Sequence, residues 1–212
     1  IKGLKIMKEN LAILGGPPVR SKPFVYEPAI GDEEKKAVLE LMESKKFSGF
    51  YKSFEGGEKV IEFEKKWANY FNVRNAIAVN SGTSALHISL ASTGIEPGDE
   101  VIVTPYSFSA TASSIVMNNA IPVFCDIDPI TFNIDVNKIE RLITNKTKAI
   151  IPVHLYGYPA EIVKIIDIAK KYNLNVIEDT CQSPGTKVNN QFVGTFGDLG
   201  TFSTVETKNI ST

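Results

Sequence analysis

The chain has 212 residues, 43% of them hydrophobic and 9% aromatic, enough to bury a sizeable core as one large domain or one and a half. Its 23 basic and 24 acidic residues leave a net charge of -1, without the basic excess of a nucleic-acid binder. No apolar run approaches the roughly 18–20 residues that span a bilayer. The opening Ile1–Leu14 segment is interrupted by Lys2, Lys5, Lys8 and Glu9, unlike a secretory leader. Cys125 and Cys181, with only two histidines beside them, make neither a disulfide framework nor a four-ligand zinc site, so no metal is expected and the cytoplasm is the expected compartment.

In chain order, Lys2 to Ile30 carries Gly15-Gly16-Pro17-Pro18, Pro23 and Pro28 and reads as an extended N-terminal arm, residues 1–30. Asp32 is placed to cap a helix whose Val38, Leu41 and Met42 recur at helical spacing. The loop Ser48 to Gly57 leads to a second amphipathic helix with Val60, Phe63, Trp67, Tyr70 and Phe71 on one stripe. From Asn75 the pattern alternates. Strands are expected at Ala76–Val79, Val101–Val103, Pro122–Cys125, Ala149–Val153, Asn175–Ile177 and Thr201–Ser203. Helices are expected at Ala85–Ala91, Ala110–Asn118, after Asp135, and at Glu161–Tyr172. Short apolar strands separated by helices mean βαβ units: an α/β three-layer sandwich around a mostly parallel sheet. Ligands of such sheets bind at the carboxyl ends of the strands.

Several candidates lie at those ends. Asn80-Ser81-Gly82-Thr83-Ser84 opens a helix with small residues, suited to holding an anion or serving only as an N-cap through Ser81 or Thr83. No glycine-rich nucleotide fingerprint accompanies it. Glu178-Asp179 follows a strand; a carboxylate there suits a metal, a base, a protonated heterocycle, or merely a solvated loop. Lys208 sits just past the glycine-bracketed Gly197–Ser203 segment, either a Schiff-base former or a surface charge. Phe108 is either a core aromatic or a platform for a planar group. His154 reads as a general base or, in preference, a packed histidine; His87 has no assigned role.

Taken together and in order, Asn80-Ser81-Gly82-Thr83-Ser84-Ala85-Leu86, Pro97-Gly98-Asp99-Glu100-Val101-Ile102-Val103, Glu178-Asp179-x-x-Gln182 and Phe202-Ser203-x-x-x-x-Lys208-Asn209 resemble the DegT/DnrJ/StrS-type sugar aminotransferases. These are pyridoxal-phosphate enzymes of aspartate-aminotransferase fold type I. The resemblance runs from about Leu11 to Thr212. It implies that Gly82 and Thr83, with the Ser203 hydroxyl, hold the phosphate of pyridoxal 5'-phosphate, and that Phe108 stacks on its ring. Asp179 would pair with the ring nitrogen, Gln182 with the phenolic oxygen, and Lys208 would carry the cofactor and move protons. It further implies that residues 31–212 are the N-terminal part of the large domain, with the small C-terminal domain lying outside this chain. The implied reaction turns a keto-sugar, in nucleotide-linked form, into an amino-sugar with glutamate or glutamine as donor.

Leu11 to Val19 is similar to the opening of relatives acting on keto-cyclitols, a variant acceptor. A sugar dehydratase of the family would carry histidine at the Lys208 position, and a non-catalytic regulatory relative would keep the fold alone. Gly56-Gly57 and Thr204 depart from the family's usual Gly-Pro and second aromatic, and bear on the substrate rather than the cofactor. The aromatics Phe47, Phe50, Tyr51 and Phe54 in one loop suit a contact surface, so a homodimer or a dimer of dimers is expected, with that loop near the cofactor mouth.

Overall fold

The computed structural model describes residues 11–22, 30–49, 56–208 and 210. The chain divides into two compact units, Ile1–Ile30 and Gly31–Thr212. In the first, Ala12–Leu14 form a single 3-10 turn closed by Gly15 at φ 91°, where an extended run was expected. Pro23 and Pro28 lie outside the described residues.

The second unit opens with α1, Asp32–Ser44. Its cap is Gly31 rather than Asp32: the Glu34 carboxylate accepts from the Gly31 amide at 2.6 Å, and Asp32 occupies the first helical position. No residue of α1 is buried, so Val38 and Met42 do not form the core stripe their spacing suggests. Helix α2, Glu58–Phe71, does use its stripe. Phe63 stacks on Trp67 at 5.3 Å, and Trp67 and Phe71 meet Phe202 at 5.2 and 4.8 Å.

Five strands form one sheet: β1 Glu100–Val103, β2 Ile121–Phe124, β3 Thr147–Ile151, β4 Asn175–Asp179 and, after a separate hairpin, β7 Leu199–Thr201. Their order is β2-β1-β3-β4-β7 and every pairing is parallel. The continuous Val/Ile runs reflect burial on both faces. Val101 and Val103 of β1 point to one face, where Leu86 and Leu90 of α3 (Gly82–Ser92) and Ile115 of α4 (Ala110–Met117) cover them. Ile102, Ile150 and Val176 point to the other, beneath Val136 and Ile139 of α5 (Val136–Ile139) and Ile162 and Ile165 of α6 (Ile162–Tyr172). That is the three-layer sandwich. Asp135 caps α5 by accepting from the Asn137 amide at 3.1 Å.

Three differences have local causes. Ala76–Val79 joins no ladder among the described residues; Ile77 is 82% exposed, and the Ala78 amide donates instead to Glu64 Oε1 at 2.8 Å. The last strand sits two residues earlier than Thr201–Ser203, with Leu199, Gly200 and Thr201 opposite Ile177, Glu178 and Asp179. Gly200 is what permits this: a Cβ there would stand 2.0 Å from the Gly194 carbonyl oxygen. An unanticipated hairpin, β5 Lys187–Val188 and β6 Gln191–Phe192, turns on Asn189 and Asn190 at φ 49° and 66°. Paired positive φ angles define a type I′ turn, and asparagine tolerates them. No helix among the described residues is long and apolar enough to cross a membrane.

Candidate functional site

The chain steps from β1 outward to β2, then returns past β1 to β3. The order therefore reverses between β1 and β3, and the crevice beyond their carboxyl ends is where a ligand fits. A cavity of about 580 Å³ lies there. Tyr106, Ser107 and Phe108 reach it from the end of β1, Leu155 and Tyr156 from beyond β3, Gln182 from beyond β4, and Thr207 and Lys208 from beyond β7. Four strand ends thus converge on one space. Lys208 Nζ stands 6.0 Å from the centroid of the exposed Phe108 ring, so Phe108 is not a core aromatic.

Asp179, the last residue of β4, is buried and is not a solvated loop acid. Its Oδ2 accepts from the Thr111 hydroxyl at 2.8 Å, and its Oδ1 from the Cys181 amide at 3.2 Å. Its backbone is held as well, the amide donating to Pro152 and the carbonyl accepting from the His154 amide. Burial first, and the Asp179 charge second, push the Cys181 thiol up.

The start of α3 forms a separate, tightly built corner. Ser81 is the cap: its hydroxyl accepts from the Ser84 amide at 3.1 Å, which leaves the amides of Gly82 and Thr83 as open helix-end donors. A Cβ on Gly82 would meet Ser203 Cβ at 3.0 Å and Cys181 Sγ at 3.1 Å, so only glycine lets these backbones approach so closely. Ser203 is brought there by its neighbour Phe202, anchored among the α2 aromatics. Of the sequence candidates, Phe108, Gln182 and Lys208 line the cavity, Gly82 and Ser203 share the corner, Thr83 follows Gly82 in α3, and Asp179 ends the strand between.

Glu178 and His154 belong to the other side of β4. Glu178 is fully buried, and its two carboxylate oxygens accept from the amides of Gly194, Phe196 and Gly197 at 2.7–2.8 Å and from His154 Nε2 at 3.0 Å. The Ala160 amide donates to His154 Nδ1 at 3.1 Å, which assigns the ring proton to Nε2. His154 is a packed histidine. Among the described residues no cluster of three or more histidine, cysteine, aspartate or glutamate side chains could hold a metal ion. Phe50, Tyr51 and Phe54 lie outside the described residues, and Phe47 is exposed.

Sequence reasoning passed over Thr111, Tyr106 and Tyr156. Thr111 lies one helical step beyond a strand-end loop, where a hydroxyl reads as an ordinary helix residue. Tyr156 lies five residues beyond the end of β3, in the 3-10 turn Leu155–Gly157, and its place past a strand end was the available signal.

The profile of the DegT/DnrJ/EryC1/StrS aminotransferase family matches residues 28–212. The chain is 43% identical over 188 residues to GDP-perosamine synthase of Caulobacter vibrioides, covering 89% of this chain and 49% of that protein. It is 36% identical over 207 residues to the L-glutamine:2-deoxy-scyllo-inosose aminotransferase of Streptomyces kanamyceticus, covering 97% and 48%. Among solved structures, the aminotransferase from Psychrobacter cryohalolentis superposes with a TM-score of 0.83 at 37% identity, covering 89% of this chain and 47% of that one. The chain spans about half the length of the curated relatives it matches.

Proposed function

Because the chain belongs to the DegT/DnrJ/EryC1/StrS aminotransferase family and has the α/β fold of its type I pyridoxal-phosphate members, we propose that the protein it forms part of is a pyridoxal-phosphate-dependent aminotransferase. It converts a keto-sugar, in nucleotide-linked form, to an amino-sugar with glutamate or glutamine as donor. The convergence of Lys208, Phe108 and Gln182 on one cavity, beside a buried Asp179, carries this reading.

The residues present fit the cofactor. The Gly82 corner, which a Cβ would fill, offers bare backbone donors and the Ser203 hydroxyl to a phosphate at a helix N-terminus. Gln182 has its Oε1 taken by the Tyr156 amide at 3.1 Å, which turns its NH₂ outward as a donor for a phenolic oxygen. Asp179 keeps a fixed carboxylate to hold a proton on a heterocyclic nitrogen. Phe108 offers a ring face. Once bound, the cofactor supplies the electron sink. Lys208 would hold it and would move the proton at the donor's α carbon. A general acid–base group of this kind contributes about 10²–10⁴-fold.

Residues 1–30 serve in this reading as an arm, and residues 31–212 as the N-terminal part of the large domain. The enzyme works in the cytoplasm, in keeping with two unpaired thiols, and as a homodimer or a dimer of dimers. A keto-cyclitol acceptor is the second reading, favoured by the alignment to the scyllo-inosose enzyme over 97% of this chain. The test is a donor half-reaction on the full-length, cofactor-loaded protein. Glutamate or glutamine should shift the cofactor absorbance in a single turnover and yield the matching keto acid. No shift with either donor rejects the aminotransferase reading.

A further inference from the structure

Among the described residues, eight non-glycine positions have positive φ: Lys45, five asparagines, Phe132 at 61° and Tyr156 at 52°. The asparagines and Lys45 cap helices or make turns, as that conformation allows. Bulky aromatics in left-handed backbone are a different matter, because their Cβ crowds the carbonyl. Burial does not repay them: Tyr156 is 75% exposed and Phe132 48%. Folding gains little from either ring, yet both conformations are tightly determined.

Asn133, itself buried, ties the two loops together. Its Nδ2 donates to the Tyr158 carbonyl at 3.1 Å, and its Oδ1 accepts from the Leu155 amide at 3.1 Å. Ser183 Oγ accepts from the Gly157 amide, and Thr186 Oγ1 donates to the Gly157 carbonyl. Tyr106 joins the pair, its ring centroid 5.8 Å from Phe132, and its phenol pushes the ionisation of the Tyr156 hydroxyl up. Tyr106 and Tyr156 line the cavity, with Phe132 beside them. The result is an aromatic wall of the cavity that carries two phenols, on backbone held by these hydrogen bonds. Strain held at a cavity by surrounding hydrogen bonds marks a functional position.

We propose that Tyr156, backed by Tyr106 and Phe132, is a specificity-determining residue that receives the hydroxylated ring of the amino acceptor against its face and hydrogen-bonds a ring hydroxyl through its phenol. This deepens the aminotransferase reading and rests on it. Apolar surface and a few placed polar groups are what such a site needs.

The test uses full-length, cofactor-loaded protein as wild type, Tyr156→Phe and Tyr156→Gly. Glycine removes the wall while relieving the positive φ, so this variant should melt no lower than wild type. The probes are GDP-perosamine and 2-deoxy-scyllo-inosose, titrated calorimetrically. For whichever probe the wild type binds, Tyr156→Gly should weaken the dissociation constant about tenfold or more, and Tyr156→Phe about fivefold, the worth of one hydrogen bond. Unchanged affinity in both variants overturns the inference. So does a lower melting temperature or loss of the dimer in light scattering without an affinity change, since the ring then serves packing. An active wild type that binds neither probe overturns the hydroxylated-ring assignment. A wild type that fails the glutamate and glutamine half-reactions overturns the aminotransferase reading itself, and this inference with it.

Discussion

Replacing Glu178 by glutamine keeps the side-chain volume and exchanges one carboxylate oxygen for an NH₂. In the native protein Oε1 accepts from Phe196 and Gly197, and Oε2 from Gly194 and His154. Whichever way the amide turns, its NH₂ faces two donors. Two bonds to a charged acceptor disappear, each worth about 1.5–3 kcal/mol, and two donors are left opposed. Allowing for partial relaxation, the loss should be about 3–5 kcal/mol, as for breaking a buried pair from one side. That is a large part of the roughly 5–15 kcal/mol that holds a domain together. The damage should reach the site, because the turn starting at Gly194 packs under Phe202, where a Cβ would lie 2.5 Å from Phe202 Cζ. Phe202 in turn positions Ser203. Urea unfolding of the full-length protein reads the loss as a lower midpoint, and hydrogen exchange reads faster amides at Gly194, Phe196 and Gly197. A shift below about 1 kcal/mol with unchanged exchange at those amides would refute the reasoning.

Gly82→Ala should raise the dissociation constant for pyridoxal phosphate by about tenfold or more. Ser203 and Cys181 must yield a few tenths of an ångström to admit the methyl; fluorescence titration measures the change. Asp179→Asn keeps an acceptor for Thr111 but removes the charge, and should slow the donor half-reaction by about 100-fold or more in stopped flow, with the cofactor still bound. Burial pushes the Cys125 thiol up to about 11, so the thiolate is disfavoured below that pH. At pH 8 about one thiol in a thousand is ionised. Iodoacetamide should therefore leave Cys125 unlabelled in native protein, react faster with each unit rise in pH, and modify it fully in urea, as read by mass spectrometry.

For the segments that pack on the sheet, the burial pattern in the sequence was enough, whereas α1 carries an apolar stripe that it does not bury. The Val and Ile runs of β1, β3 and β4, flanked by amphipathic helices, announce a parallel sheet and its ligand-binding edge. Ala76–Val79 has the same composition, but a strand exists only with a ladder partner, and none pairs with it among the described residues. Gly200 dilutes the apolar signal of β7, and its role lies in contact with Gly194, far from it in local pattern. At the candidate site, Gly82, Asp179, Gln182, Ser203 and Lys208 were legible as motifs because Gly82 opens a helix, Asp179 ends a strand and the others follow strand ends. The division of labour between neighbours was not. Glu178 and Asp179 alternate across a strand, so one carboxylate faces the site and the other knits a glycine turn, a difference of face that composition does not carry. Tyr156 was hidden for another reason: its backbone angle, not its residue type, sets it apart.

The central claim is that Lys208 holds the cofactor. Borohydride reduction of full-length, pyridoxal-phosphate-loaded protein, followed by peptide mass mapping, tests it most directly. The account predicts a pyridoxyl-phosphate adduct on the peptide containing Lys208, and its disappearance in Lys208→Ala with the far-ultraviolet circular dichroism unchanged. An adduct on another lysine, or one that persists in Lys208→Ala, would contradict it.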